Sequence, residues 1–339
     1  MPAHRSPLIP MSLLVVLVLG CSETTGPAGQ DTERPASSGP ALEAAPASNS
    51  WLVLPQMPTP RAGLVSATVN DLIYVIGGRN PQALSLATVE RYNPTSRLFA
   101  WFNQAPLPQP RSWPSGAATI NGKIYVTGGL ASNSAITRTL FVYNPATNSW
   151  STKAQIPVPT AQGASAVISR KLYVLTPPAS SGDPQKTKLH RYDPGTDTWV
   201  SRATAPINLR EAVVGVIDGK LYAAGGVVDS VLSQPLGRTY VYDPSSNSWS
   251  RRADMPIPRR SASGRVLNGK LYVFGGNGGN APYGNTQVFT PGSGWALKAS
   301  MPTPRYVGTA AVAGGRFYMI GGIPTNAFQA VGTNEAYVP

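Results

Sequence analysis

Residues 121–150 read NGKIYVTGGLASNSAITRTLFVYNPATNSW. Asn121-Gly122 supplies the two positive φ angles of a tight hairpin turn. Lys123 to Thr127 follows, alternating Ile124 and Val126 against Tyr125, and stops at Gly128-Gly129. Period-two alternation marks a strand. Upstream, the small-residue run Gly116 to Ile120 predicts the strand that the hairpin pairs with. Downstream, a variable loop leads to a third strand, Thr139 to Tyr143; Asn144-Pro145 opens a turn, and a fourth strand carries Trp150. The diglycine marks a place where strands crowd and side chains do not fit.

The same unit recurs along the chain, and this decides the fold. Tryptophans fall at 51, 101, 150, 199, 249 and 295, with gaps of 50, 49, 49, 50 and 46 residues. Diglycines fall at Gly77-Gly78, Gly128-Gly129, Gly225-Gly226, Gly275-Gly276 and Gly321-Gly322, and the remaining slot holds Thr176-Pro177. Asp218-Gly219 and Asn268-Gly269 repeat the hairpin turn. A Tyr-x-Pro element begins at Tyr92, Tyr143, Tyr192, Tyr242 and Tyr337, with Phe289 as a variant. One tryptophan per unit, packed against the neighbouring unit, is how stacked repeats share a core.

These residues resemble the kelch repeat. The diglycine, the Tyr-Asp-Pro, the later tryptophan and the period of about fifty residues are its signature. The resemblance covers residues 47–339 and implies an all-β fold, a β-propeller with one four-stranded antiparallel blade per repeat around a central channel.

The two ends complement each other. Tyr337-Val338-Pro339 reads as the third strand of a last unit that lacks its turn and tryptophan, whereas Ala47-Ser48-Asn49-Ser50-Trp51 matches the ends of other units, Asn148-Ser149-Trp150 and Asn247-Ser248-Trp249. We therefore expect six blades, closed by the N-terminal strand pairing into the last one, which hides strand edges.

Composition fits a turn-rich globular protein. Gly and Pro occur 34 times each, 42% of residues are hydrophobic, and seven Trp and fourteen Tyr are present. One cysteine excludes a disulfide-stapled scaffold, and His4 and His190 are too few for a zinc ribbon. A charged fraction of 13% excludes a long coiled coil.

Residues 1–20 read as a secretory signal: Arg5 near the start, an apolar run from Leu13 to Leu19, then Gly20. Val18-Leu19-Gly20-Cys21 resembles the lipobox of bacterial lipoproteins. That resemblance implies cleavage before Cys21, lipidation of it, and a membrane anchor; Ser22, in place of Asp, permits outer-membrane sorting in a Gram-negative cell, at the outer membrane or periplasmic face. The other reading is an ordinary signal peptide. Residues 21–46 hold small residues, Pro and acids without aromatics, a disordered tether. The expected organisation is thus 1–20 signal peptide, 21–46 lipidated Cys21 and tether, and 47–339 propeller.

Overall charge is +13, from 28 basic and 15 acidic residues. Residues 47–339 lose Arg5 and Arg34 and four acids (Glu23, Asp31, Glu33, Glu43), leaving 26 against 11, or +15. An exported lipoprotein rarely meets nucleic acid, and no aromatic-basic stacking motif stands out, so no nucleic-acid partner is expected. No triad, metal cluster or cofactor motif is visible, and no metal or cofactor is expected. His190 reads as structural. Some kelch propellers are copper radical oxidases, and this chain lacks their cysteine and histidine ligands. Other six-bladed kelch proteins interconvert sialic acid anomers with a Glu and Arg pair; Arg210-Glu211 is the nearest match, weakened because adjacent strand residues point to opposite faces.

A recurring arginine follows a Met-Pro-x-Pro-like run: Arg61, Arg111, Arg259 and Arg305, with Arg210 one position later, Arg260 added, and Thr160 in the third unit. Sixfold symmetry gathers these near one channel end. By resemblance to kelch adaptors they line a central bowl and contact acidic ligands, and Arg79, after Gly78, matches a further arginine used there. Guanidinium forks suit carboxylates. The other reading is structural, with each arginine bonded to backbone carbonyls or a neighbouring blade. The expectation is a noncatalytic binding or scaffolding lipoprotein of the bacterial envelope, presenting an arginine-lined bowl to an acidic protein segment or acidic glycan. The alternative is a carbohydrate-acting enzyme such as a sugar-acid mutarotase using the same bowl.

Overall fold

The computed structural model describes residues 46–96, 100–179, 186–228 and 234–339. The expected signal peptide, Cys21 and the tether up to residue 45 lie outside the described residues.

β1 (Ser50–Leu54) precedes blade one, which is β2 (Val65–Val69), β3 (Leu72–Ile76), β4 (Val89–Tyr92) and β5 (Trp101–Asn103). Blade two is β6 (Ala117–Ile120), β7 (Lys123–Thr127), β8 (Leu140–Asn144) and β9 (Ser149–Lys153). Blade three is β10 (Ala164–Ile168), β11 (Lys171–Thr176), β12 (Lys188–Asp193) and β13 (Thr198–Arg202). Blade four is β14 (Val213–Ile217), β15 (Lys220–Ala224), β16 (Thr239–Asp243) and β17 (Ser248–Arg252). Blade five is β18 (Ser263–Leu267), β19 (Lys270–Phe274), β20 (Thr286–Thr290) and β21 (Gly294–Lys298). Blade six is β22 (Thr309–Ala313), β23 (Arg316–Ile320) and β24 (Asn334–Val338), completed by β1. The first strand of each blade touches the first strand of the next, and β22 touches β2. The fold is a six-bladed β-propeller, closed as the termini predict, with Trp51 opposite Tyr337.

The core lies between blades. Ala118, Ile120, Tyr125 and Val142 of blade two pack on Leu172, Val174 and Tyr192 of blade three, and similar layers fill the other junctions. This changes the reading of the second strands. Ile124, Tyr125 and Val126 are all buried, since both faces of a blade meet a neighbour.

Each repeated residue has a joint to hold. Every unit tryptophan sits directly across from the aromatic of the Tyr-x-Pro element, with ring centroids 4.9 to 5.3 Å apart. Its indole N–H donates to a carbonyl of the preceding blade: Trp51 to Ala299, Trp101 to Pro55, Trp150 to Ala105, Trp199 to Ala154, Trp249 to Ala203 and Trp295 to Ala253. The rings are only partly buried, so each contributes about 2–3 kcal/mol, half the value of a fully buried indole.

Four turn residues with positive φ add a second latch: Asn49, Asn148, Asp197 and Asn247. Each side-chain oxygen accepts a tyrosine O–H, from Tyr337, Tyr143, Tyr192 and Tyr242, and a backbone N–H of the blade before, from Ala299, Ala105, Ala154 and Ala203.

The diglycines are required by close approach. At Gly128, φ is +62° and a Cβ would lie 2.2 Å from the Thr160 carbonyl oxygen of the next blade. Gly129 N–H donates to that same oxygen at 2.8 Å, and Gly78, Gly226, Gly276 and Gly322 make the matching bond to Arg111, Arg259, Arg305 and Arg61. Pro177 has no N–H, so blade three lacks this bond to blade four. There Leu209 N–H donates instead to the Thr187 hydroxyl, which donates to Asn208.

Candidate functional site

Between the outer strand of one blade and the inner strand of the next, the chain crosses one end of the channel. Two residues after Arg61, Arg111, Thr160, Leu209, Arg259 and Arg305 it adopts positive φ, at Gly63, Trp113, Gln162, Glu211, Ser261 and Val307, all between +49° and +60°. Their backbones link blade to blade. Gly63 N–H donates to Val307, Trp113 to Gly63, Gln162 to Trp113, Glu211 to Gln162 and Val307 to Ser261, at 2.7 to 3.0 Å. Ser261 donates its hydroxyl to Glu211. This belt surrounds the mouth of a cavity of about 140 Å³, and its side chains are an indole, an amide, a carboxylate, a hydroxyl and a valine.

The recurring arginines are not in that mouth. Arg61, Arg111, Arg259 and Arg305 are at most 1% exposed. The sequence placed them in a solvent-facing bowl; the structure turns them into the blades, where backbone carbonyls need donors. Arg61 donates to the Gly77, Val75 and Thr59 carbonyls and pairs with Glu90. Arg305 donates to the Thr303 and Met319 carbonyls and pairs with Glu335 at 2.5 Å. Arg259 donates to the Ile257, Gly275 and Asn285 carbonyls and to the Asn285 side chain. Arg111 donates to Pro110 and Gln109 and lies over the Phe141 ring at 5.3 Å. Burial pushes all four guanidinium groups below their usual pKa, and Glu90 and Glu335 oppose this for Arg61 and Arg305.

The remaining expected arginines flank the belt. Backbone bridges pair Arg79 with Ala62, Arg210 with Val227, and Arg260 with Asn277, so Arg210 and Arg260 occupy one structural position on adjacent blades. Half-buried Arg79 stacks over Phe328 at 4.4 Å. Arg260 lies near the Tyr306 phenol. Arg210 is buried and donates to Gln162 at 2.8 Å and to the Pro178 carbonyl. The Gln162 amide donates in turn to Glu211 at 3.3 Å. Sequence alternation set Arg210 and Glu211 on opposite faces. The positive φ of Glu211 breaks that alternation, and the two meet across one amide.

His190 is 2% exposed on β12. Burial, with Lys188 adding to it, pushes its pKa down to about 4. It is neutral near pH 7 and takes no part in the mouth.

A family model described as the Attractin/LZTR1 beta-propeller matches residues 73–292 of this chain. The chain belongs to that beta-propeller family. Kelch-repeat relatives agree. An F-box/kelch-repeat protein of Arabidopsis thaliana is 36% identical over 104 residues, covering 30% of this chain and 27% of that protein. Kelch-like protein 24 of Rattus norvegicus is 32% identical over 104 residues, covering 30% and 16%. The chain thus spans about a third or less of the length of the curated relatives it matches. Among solved structures, that of YjhT superposes with a TM-score of 0.72, covering 84% of this chain and 96% of that one at 20% identity. This last likeness is one of fold.

Within this kelch-type propeller, sequence reasoning missed the belt and Arg265. Arg265 lies on β18, two residues before its end. The matching positions of the other inner strands are Ala67, Ala118, Ala166, Gly215 and Ala311. A basic residue in a column of alanine and glycine was the available signal.

Proposed function

We propose that this propeller is a noncatalytic binding or scaffolding protein of the bacterial cell envelope, held by lipid at Cys21, whose channel mouth takes an acidic protein segment or acidic glycan. The observation that carries this reading is the make-up of the mouth. Arg79, Arg210 and Arg260 flank a belt that offers an indole, an amide and a hydroxyl. Glu211 in that belt already accepts from Gln162 and Ser261. Family membership supports the binding half, since kelch-type propellers present such mouths to partners. The +15 of residues 47–339 favours acidic partners over basic ones.

Glu211 favours one second reading, a sugar-acid mutarotase. Glu211 lines the cavity and is the group that would move a proton to and from a bound sugar acid, while the Arg210 guanidinium, held by the same Gln162, stays charged.

The test is an acidic-glycan and acidic-peptide array. Arg79→Ala with Arg260→Ala is expected to weaken binding roughly ten-fold or more, since charge-assisted bonds are the strong ones. Unchanged binding rejects the arginine-flanked mouth. Arg61 and Arg305 are unsuitable probes because their loss strands a buried carboxylate. Exchange between sialic acid anomers, followed by NMR and abolished in Glu211→Gln, moves the conclusion to the enzyme. Cys21→Ala is expected to shift the protein from the membrane to the soluble fraction, and membrane retention rejects the lipid anchor.

A further inference from the structure

The belt mouth opens above a second chamber of about 290 Å³, several times the ~30 Å³ of a water molecule. Both chambers are lined by Arg265 and Ser165. Arg265 reaches across the channel. One terminal nitrogen donates to its neighbour Gly264, and the other to the Ser66 carbonyl of blade one at 2.8 Å, passing over blade six. Its acceptors are neutral carbonyls, and no ion pair holds it among the described residues.

Ser165 stands on β10 and faces the same channel. Its hydroxyl oxygen is buried and has no hydrogen-bond partner among the described residues. It fits against Gly116, where a Cβ would lie 2.1 Å from the oxygen. The rest of the lower lining is Ala, Val and Gly with the hydroxyls of Ser66, Thr68 and Thr119, and holds no carboxylate. Ser66 and Thr119 are already bonded, to Thr309 and Ala310 and to the Thr68 carbonyl. Glu211 belongs to the upper chamber, at the mouth.

A guanidinium brought out of bulk water without a carboxylate costs several kcal/mol unless something completes its bonding. An orphaned buried hydroxyl carries its own penalty. Both penalties are relieved by one ligand, an anion with at least two acceptor oxygens. We propose that the lower chamber is an oxyanion site, in which the guanidinium of Arg265 and the hydroxyl of Ser165 bind a phosphate-sized or carboxylate anion. Burial lowers the Arg265 pKa to about 10, which leaves it protonated near pH 7. Arg265 and Ser165 border the mouth cavity as well, but Arg79, Arg210 and Arg260 line neither chamber, so the flanking arginines take no part in the site.

The test is thermal unfolding of the full chain at pH 7 and constant ionic strength, titrated with inorganic phosphate or acetate against chloride. Any ligand of the folded state raises the midpoint with concentration. The expected result is a saturable rise with phosphate, acetate or both, absent in Arg265→Gln. In Ser165→Ala the half-saturating concentration should rise roughly ten-fold. Phosphate alone marks an inorganic ion as the occupant, and acetate alone marks a carboxylate. Arg79→Ala with Arg260→Ala should leave the rise intact while weakening mouth ligands. If Arg265→Gln does not fold, ³¹P line broadening of phosphate by the wild type and by Ser165→Ala gives the answer. The proposal is overturned if the wild type shows no saturable rise, if Arg265→Gln keeps it, if chloride gives the same response, or if the rim variant loses it.

Discussion

Glu335→Ala is expected to destabilise the propeller by about 3–5 kcal/mol, the cost of leaving one buried charge without its partner. Arg305 is 1% exposed and its Nε has no hydrogen-bond partner among the described residues. With Glu335 gone, its guanidinium keeps two carbonyls and no anion. The Thr303 hydroxyl loses its acceptor as well, since it donates to Glu335 at 2.7 Å. Burial already pulls the Arg305 pKa down, and Glu335 is the group that opposes the pull. In a domain of this size the change corresponds to a midpoint drop on the order of 10 °C. Glu335→Gln, which keeps the shape and one acceptor, should cost less. Urea unfolding with both variants is the check. A loss below about 1 kcal/mol for Glu335→Ala would mean that water enters and solvates the guanidinium. Blade one carries the same pair in Arg61 and Glu90, so Glu90→Ala should behave alike. Blade two has Phe141 beneath Arg111 in place of a carboxylate, so no buried anion is stranded when Arg111 is removed.

Removing residues 47–54 should abolish cooperative folding, and moving them to the other end should restore it. β1 forms the outer strand of blade six from the opposite end of the chain. Without it, Trp51 is lost from its carbonyl on Ala299 and from the rings of Tyr337 and Phe274. The Tyr337 hydroxyl loses Asn49, and β24 becomes an unpaired edge, the kind of surface that aggregates. Fusing Ala47 directly to Pro339 gives Tyr337-Val-Pro-Ala-Ser-Asn-Ser-Trp51, which matches the spacing of Tyr143-Asn-Pro-Ala-Thr-Asn-Ser-Trp150. A permuted chain that starts at Pro55 and carries this fusion should unfold within about 1 kcal/mol of the parent. Failure of the permutant, or folding of the truncated chain, would show that closure does not rest on this strand.

The fold was legible because each blade is specified locally. Asn-Gly turns, the diglycine and the Tyr-to-Trp spacing all act within fifty residues, and six copies reinforced one another. Hairpins at Asn121-Gly122, Asp218-Gly219 and Asn268-Gly269 have two positive φ angles each, as their residues require. Arg210 and Glu211 were harder, because strand alternation does not foresee a left-handed residue in the crossing segment.

Sequence by itself determined the blade, its number and the way the ring closes, since these follow from repeated short-range patterns and from complementary ends. Only the tertiary structure decided what the arginines do. Recurrence shows that a guanidinium is needed in four of the six blades, but not whether the need is a ligand or a carbonyl. Arg61 and Arg305 meet their glutamates from positions 29 and 30 residues away. Arg265 meets Ser66 from 199 residues away. A cation's surroundings are set by whichever strands the ring brings together, and no local pattern carries that information.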